Sequence, residues 1–183
     1  MLRKKLLSRY SHLNDEQVSL VFDTLKEYFH ICNDANKKMV AMPSQVVDVA
    51  WHEFILSTRA YKEFCNKALG SFLHHTPTEV MKSPTTPSES IRRAWKLACK
   101  REDINPSKPL KLPMLFAIDS LLGIADGYNY VLDCNNPASP NYGSGYCASD
   151  IGCSGGSCAG DMSDSSSDGF GDSSCGGSSC GGD

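Results

Sequence analysis

The sequence predicts a mainly α-helical protein. A small irregular head of about four to five helices covers residues 1–134. A disordered Gly/Ser/Cys/Asp-rich tail, residues 135–183, follows it. Three observations carry this reading. Apolar residues recur at helical spacing through the head. Capping signatures precede several of those runs. After Ile151 only Met162 and Phe170 are large and apolar. Such a tail cannot bury enough surface to offset its ordering entropy, so disorder is expected unless metal or a partner ties it down.

The elements follow in order. Arg3-Lys4-Lys5 with Arg9 reads as a solvated helix face. Asn14 is a good N-cap, with Gln17 three residues on as in a capping box and Leu13 and Val18 placed for a hydrophobic staple. Val18, Val21, Phe22, Leu25, Phe29 and Cys32 then form a helical stripe ending near Asn33. Ser44 caps a second helix whose apolar stripe is Val46, Val47, Ala50, Trp51, Phe54 and Ile55. A break at Ser57-Thr58 is expected. On one straight helix, His52 and Cys65 would lie about 140° apart, whereas a break lets Tyr61, Phe64 and Cys65 fold back. Gly70 suits a helix end. Thr86-Pro87-Ser88-Glu89 has Thr at N-cap, Pro at N1 and Glu at N3 of a helix reaching Arg101, with Ile91, Ala94, Trp95 and Ala98 buried. Pro106 and Pro109 keep residues 105–112 extended. Pro113 starts a last helix through Leu122, stopped by Gly123. Residues 127–133 alternate weakly, as a short strand or extended packing segment would.

Charge narrows the function classes. The chain carries −3 overall, yet all 18 Lys and Arg lie at or before Lys111, and six aspartates make residues 135–183 acidic, leaving the head at +3. Neither half has the field expected of a nucleic-acid or membrane-lipid binder. No apolar run is long enough to span a bilayer, and Met1 to Ser8 lacks the sustained apolar core of a signal segment. A cytoplasmic protein is expected. In a reducing compartment its nine cysteines suggest metal or redox chemistry more than structural disulfides.

The segment from Val46 to Pro77 is the densest in chemistry. It holds Trp51-His52-Glu53, then Tyr61 and Phe64-Cys65, then Phe72-Leu73-His74-His75 before Pro77. Polar side chains among large apolar ones need partners. His52, Cys65 and one of His74 or His75 would offer imidazole and thiolate ligands, which suit zinc. The spacing is neither a paired C-x-x-C nor H-E-x-x-H. The bland alternative gives His52 a backbone carbonyl partner, makes Cys65 a small buried hydrophobe and uses His74 and His75 to fix the loop. A Cys65–His nucleophile is the enzymatic version, without any local signature. No aspartate spacing forms a carboxylate pair.

The same segment resembles glycine-rich domain-containing proteins. Their pattern reads Val-Asp-x-x-Trp-His-x-His-Ile-Leu-x-Thr-x-x-Tyr, then Asp-Cys, then Phe-Gly-x-Phe-x-His-His-x-Pro. The matching residues are Val47, Asp48, Trp51, His52, Ile55, Leu56, Thr58, Tyr61, Cys65, Gly70, Phe72, His74, His75 and Pro77. Two departures matter: the pattern's second histidine is Phe54 here, and the acid before its cysteine is Phe64. The resemblance implies an architecture and candidate positions, without an activity.

In the tail, Cys147, Cys153 and Cys158 are followed by Cys175 and Cys180. The two C-x4-C units would chelate a thiophilic ion such as zinc or Cu(I), or the segment is a flexible tail of no specific chemistry. The leading expectation is a binding or adaptor module with a protein partner, metal-linked through the His/Cys cluster or the tail thiols. Its alternatives are a metal- or cysteine-dependent enzyme, and a precursor or carrier whose Ser-Cys-Gly tail is modified. A solvent-reached cleft at His52 would favour the enzyme; a closed His/Cys cluster would favour a structural role.

Overall fold

Asn14 opens the longest helix as the sequence predicts. Its side chain accepts from Gln17 N at 2.8 Å, and the Gln17 side chain accepts from Asn14 N at 2.9 Å, completing the capping box. The computed structural model describes residues 2–75, 81–83, 86–87, 89–132, 134, 137–138, 142–143 and 146–152. Within them the chain is mainly helical. α1 spans Leu2–Arg9, α2 Asp15–Asp34, α3 Gln45–Ile55 and α4 Thr58–Phe64. α4 runs on as a π-helical turn over Cys65–Leu69. A hairpin of β1 (Met81–Ser83) and β2 (Thr86–Pro87) precedes α5 (Glu89–Arg101) and α6 (Met114–Leu121). β3 (Tyr130–Val131), β4 (Tyr146–Cys147) and α7 (Ala148–Gly152) complete the order.

α2 sits among α1, α3, α5 and α6. Its stripe of Val18, Val21, Leu25, Tyr28 and Phe29 is buried, together with Leu13 of the staple, against Val46, Ala50 and Trp51 of α3. Burying such side chains contributes about 1.5–3 kcal/mol each relative to exposure. A second part of the core gathers Ile91 and Trp95 of α5 with Leu115, Phe116 and Ile118 of α6. The Trp95 and Phe116 rings meet edge-on at 5.0 Å.

The break after Ile55 is present, and α4 turns back so that Tyr61 is buried. The π-helical turn ends on Gly70 at φ +68°, the left-handed conformation glycine adopts without a Cβ penalty. Pro113 precedes α6, and Gly123 follows it at φ +62°. Three expectations need correction. Thr86 and Pro87 do not cap a helix. Both are extended, pairing with Ser83 and Met81, and α5 starts at Glu89. Proline's fixed φ serves an extended edge as well as a first helical turn, so the capping string was ambiguous. Packed structure also continues past residue 134. β3 pairs parallel with β4, and α7 buries Ala148 and Ile151 against α5. Finally, Cys134 and Cys147 form a disulfide, where the cysteine content suggested metal or redox chemistry.

Candidate functional site

The site starts with the N-terminus of α3. The Ser44 hydroxyl accepts from Val47 N at 3.2 Å, as predicted. It also donates to Asp119 Oδ1 at 2.7 Å. Asp119, buried on α6, accepts further from Gln45 N at 2.7 Å, Val46 N at 3.2 Å and Tyr128 N at 2.9 Å. A carboxylate that accepts four donors at a helix N-terminus is favoured by hydrogen bonding and by the helix dipole. It locks the start of α3 to α6. Gly127 lets the Tyr128 amide approach: a Cβ there would stand 2.7 Å from Asp119 Cβ.

With α3 fixed, Asp48 and His52 fall one turn apart on one face. His52 Nδ1 lies 3.1 Å from Asp48 Oδ2. The other oxygen, Oδ1, lies 2.8 Å from His75 Nε2. The two imidazole rings are 4.1 Å apart, and the His75 ring meets Trp51 at 4.5 Å. His75 arrives on the connection after Gly70, which Tyr61 holds. The Tyr61 hydroxyl accepts from Trp51 Nε1 at 3.1 Å and donates to Leu73 O at 2.6 Å. Burial raises the Tyr61 pKa, partly offset by the Trp51 hydrogen bond, so the hydroxyl keeps its donated proton.

One ligand atom from each of Asp48, His52 and His75 comes within 4.8 Å of the other two. Two imidazoles and a carboxylate suit zinc and other divalent transition metals, and three protein ligands leave a further coordination position open. Side-chain exposure of 51% for His52 against 14% for His75 puts the open side of the cluster at His52.

That side faces a cleft of about 620 Å³. One wall is Asp48, Trp51, His52 and the connection from Ser71 to His75; the other is the segment from Lys37 to Met42. Tyr28 Oη donates to Val40 O at 3.0 Å and Arg93 donates to Met39 O, so this second wall is tied to α2 and α5. Cys32 also lines the cleft, but burial pushes its thiol up to about 12, opposed by a hydrogen bond with Tyr28. It stays protonated at neutral pH.

The structure brings together His52 and His75 of the predicted residues and separates the others. Cys65 is fully buried and lies outside both the cluster and the cleft lining. His74 lines the cleft, with its ring against Phe72 at 4.8 Å. Glu53 pairs with Lys5 at 2.7 Å. Asp48 takes the place assigned to a thiolate, and its signal was in plain view: an aspartate four residues before a histidine on a helix. Phe54 and Phe64, where the chain departs from the resembled pattern, pack on each other at 5.4 Å and on Phe29, outside the cleft lining. Of the tail thiols, Cys147 belongs to the disulfide, close to Asp150. Cys153, Cys158, Cys175 and Cys180 lie outside the described residues.

Among the described residues, no helix is long and apolar enough to cross a membrane. A family described as UCP032817-like matches residues 1–151. No significant match was found among curated proteins or among solved structures.

Proposed function

The chain belongs to the UCP032817-like family, and from that premise we propose that it is a binding module whose cleft carries a divalent metal on Asp48, His52 and His75. The observation that carries the reading is the convergence of the three ligand atoms within 4.8 Å at the wall of a solvent-reached cleft. Zinc is the ion the donor set suits best. The metal would hold a small molecule by one of its own donor atoms. The cleft supports a second reading, a metal-dependent enzyme. Catalytic zinc sites keep a position open for water, whereas structural ones are closed by four protein ligands.

The test is metal content by elemental mass spectrometry, on full-length protein purified without chelator, beside Asp48→Ala, His52→Ala and His75→Ala. One equivalent in the parent chain and loss in each variant is the expected result. Metal retained by all three variants would move the site elsewhere, and an empty parent that also rejects added zinc would end the reading.

A further inference from the structure

We propose that the ligand of this cleft is a small organic anion with an apolar body, its anionic head on the metal and its body against the segment from Lys37 to Met42. The inference rests on the metal reading above and adds the class of ligand.

Charge is the first argument. Among the described residues Asp48 is the only acid lining the cleft, and the metal would consume it. Lys37 and Lys38 also line the cleft, and neither pairs with a carboxylate among the described residues. A divalent ion with one carboxylate and two lysines leaves the cleft strongly positive. Its walls are partly apolar, so the field acts with less screening than on open surface. A cationic ligand is disfavoured there.

Lining chemistry is the second argument. Met39, Val40, Met42, Phe72 and Leu73 face the same space. Met39 and Phe72 are exposed although large and apolar. A free inorganic anion would leave these side chains in water, whereas an organic body would cover them. The volume falls in the range of pockets that enclose small organic ligands, about 300–1,000 Å³.

Preorganisation is the third. The Lys37 wall is held by the Tyr28 and Arg93 bonds to Val40 O and Met39 O, and the facing wall by Tyr61. Asn36 and Lys37 both adopt positive φ, +54° and +66°. Non-glycine residues are held in that region at a cost, and such strain gathers at binding sites. The two carbonyl bonds hold this bend, with Lys37 and Lys38 at the rim of the cleft.

The test uses full-length protein loaded with Co(II), whose visible absorption reports changes in coordination. It is titrated with 3-phenylpropionate, its neutral amide 3-phenylpropionamide, and acetate. Saturable spectral change with phenylpropionate, at least about tenfold weaker with acetate and absent with the amide, is expected from an anionic head and a buried apolar body. Lys37→Ala and Lys38→Ala should each weaken phenylpropionate by roughly threefold with cobalt stoichiometry intact, the size expected of partly exposed charges. Cobalt bound with no response to phenylpropionate, or equal response to the amide, would overturn the anion proposal and leave the metal site standing. Failure to bind cobalt at all would overturn both.

Discussion

Asp119 and Gly127 make the sharpest claim at the scale of single residues. The Asp119 carboxylate takes four hydrogen bonds in a buried position, three of them from Ser44, Gln45 and Val46 at the start of α3. Asp119→Ala should cost about 3 kcal/mol or more, because the donors are left without an acceptor. Gly127→Ala should cost about 1–3 kcal/mol, since its Cβ would press on Asp119. The two losses should be less than additive, because both are routed through one side chain. Chemical denaturation of the two variants and their double decides it; simple additivity would count against the shared contact. Asp119 was barely legible in the sequence. It stands out only as a charge inside an apolar run, and nothing local tells that three of its four partners lie more than 70 residues away. His52 was legible because it stood beside a tryptophan in a dense stretch. Cys65 is indistinguishable in sequence from a ligand, yet a buried cysteine on an apolar face behaves as a small hydrophobe.

At the scale of elements, the helix break after Ile55 has a testable corollary in the pair Phe54 and Phe64. α3 and α4 fold back so that these rings touch, with Phe29 behind them. The resembled pattern has His and Asp at these positions, and here they would face each other as a hydrogen-bonded pair. Phe54→His and Phe64→Asp should each cost about 1–3 kcal/mol alone, and the double variant should recover at least about 1 kcal/mol of the summed loss. A double-mutant cycle by urea unfolding measures this; zero coupling would sink the paired reading. Capping strings are legible where the side chain bonds locally, as at Asn14 and Ser44, because that chemistry spans three residues. At Thr86 strand pairing overrides a plausible cap. The disulfide from Cys134 to Cys147 belongs to this scale too. It ties α7, which buries Ala148 and Ile151, to the end of β3 across a separation of 13 residues. Reduction should cost on the order of 3 kcal/mol. Melting with and without a phosphine reductant, beside Cys134→Ser as the reduced reference, checks the loss.

The whole molecule carries a pH signature of its buried acids. Burial pushes Cys32 and Cys99 from 9.0 up to about 12, and raises Tyr28 and Tyr130 well above the ordinary tyrosine value. Below pH 9.0 both folded and unfolded chains hold the cysteine protons, and this contribution is fully present. Above it the unfolded chain releases protons first, so stability is lost as pH rises towards about 12. The guanidinium midpoint should therefore fall between about pH 8 and about pH 11, more steeply than in a Cys32→Ala/Cys99→Ala variant. A midpoint flat with pH would contradict the burial of these thiols. Fold class was readable because helical periodicity is a local signal summed over many residues. A boundary at residue 134 follows from composition, which does not register the few buried side chains, Ala148 and Ile151 among them, that dock α7.

The Asp119 clamp has a consequence for the order in which the chain assembles. Asp48, His52 and His75 all lie within the first 75 residues, yet the residue that fixes the start of α3, the helix that carries Asp48 and His52, comes at position 119. As the chain leaves the ribosome, all three ligands emerge well before their clamp does. A fragment ending before Met114 should therefore contain the complete donor set and capture zinc far more weakly than the full chain. On the proposed reading, competence for metal arrives late in synthesis, with α6.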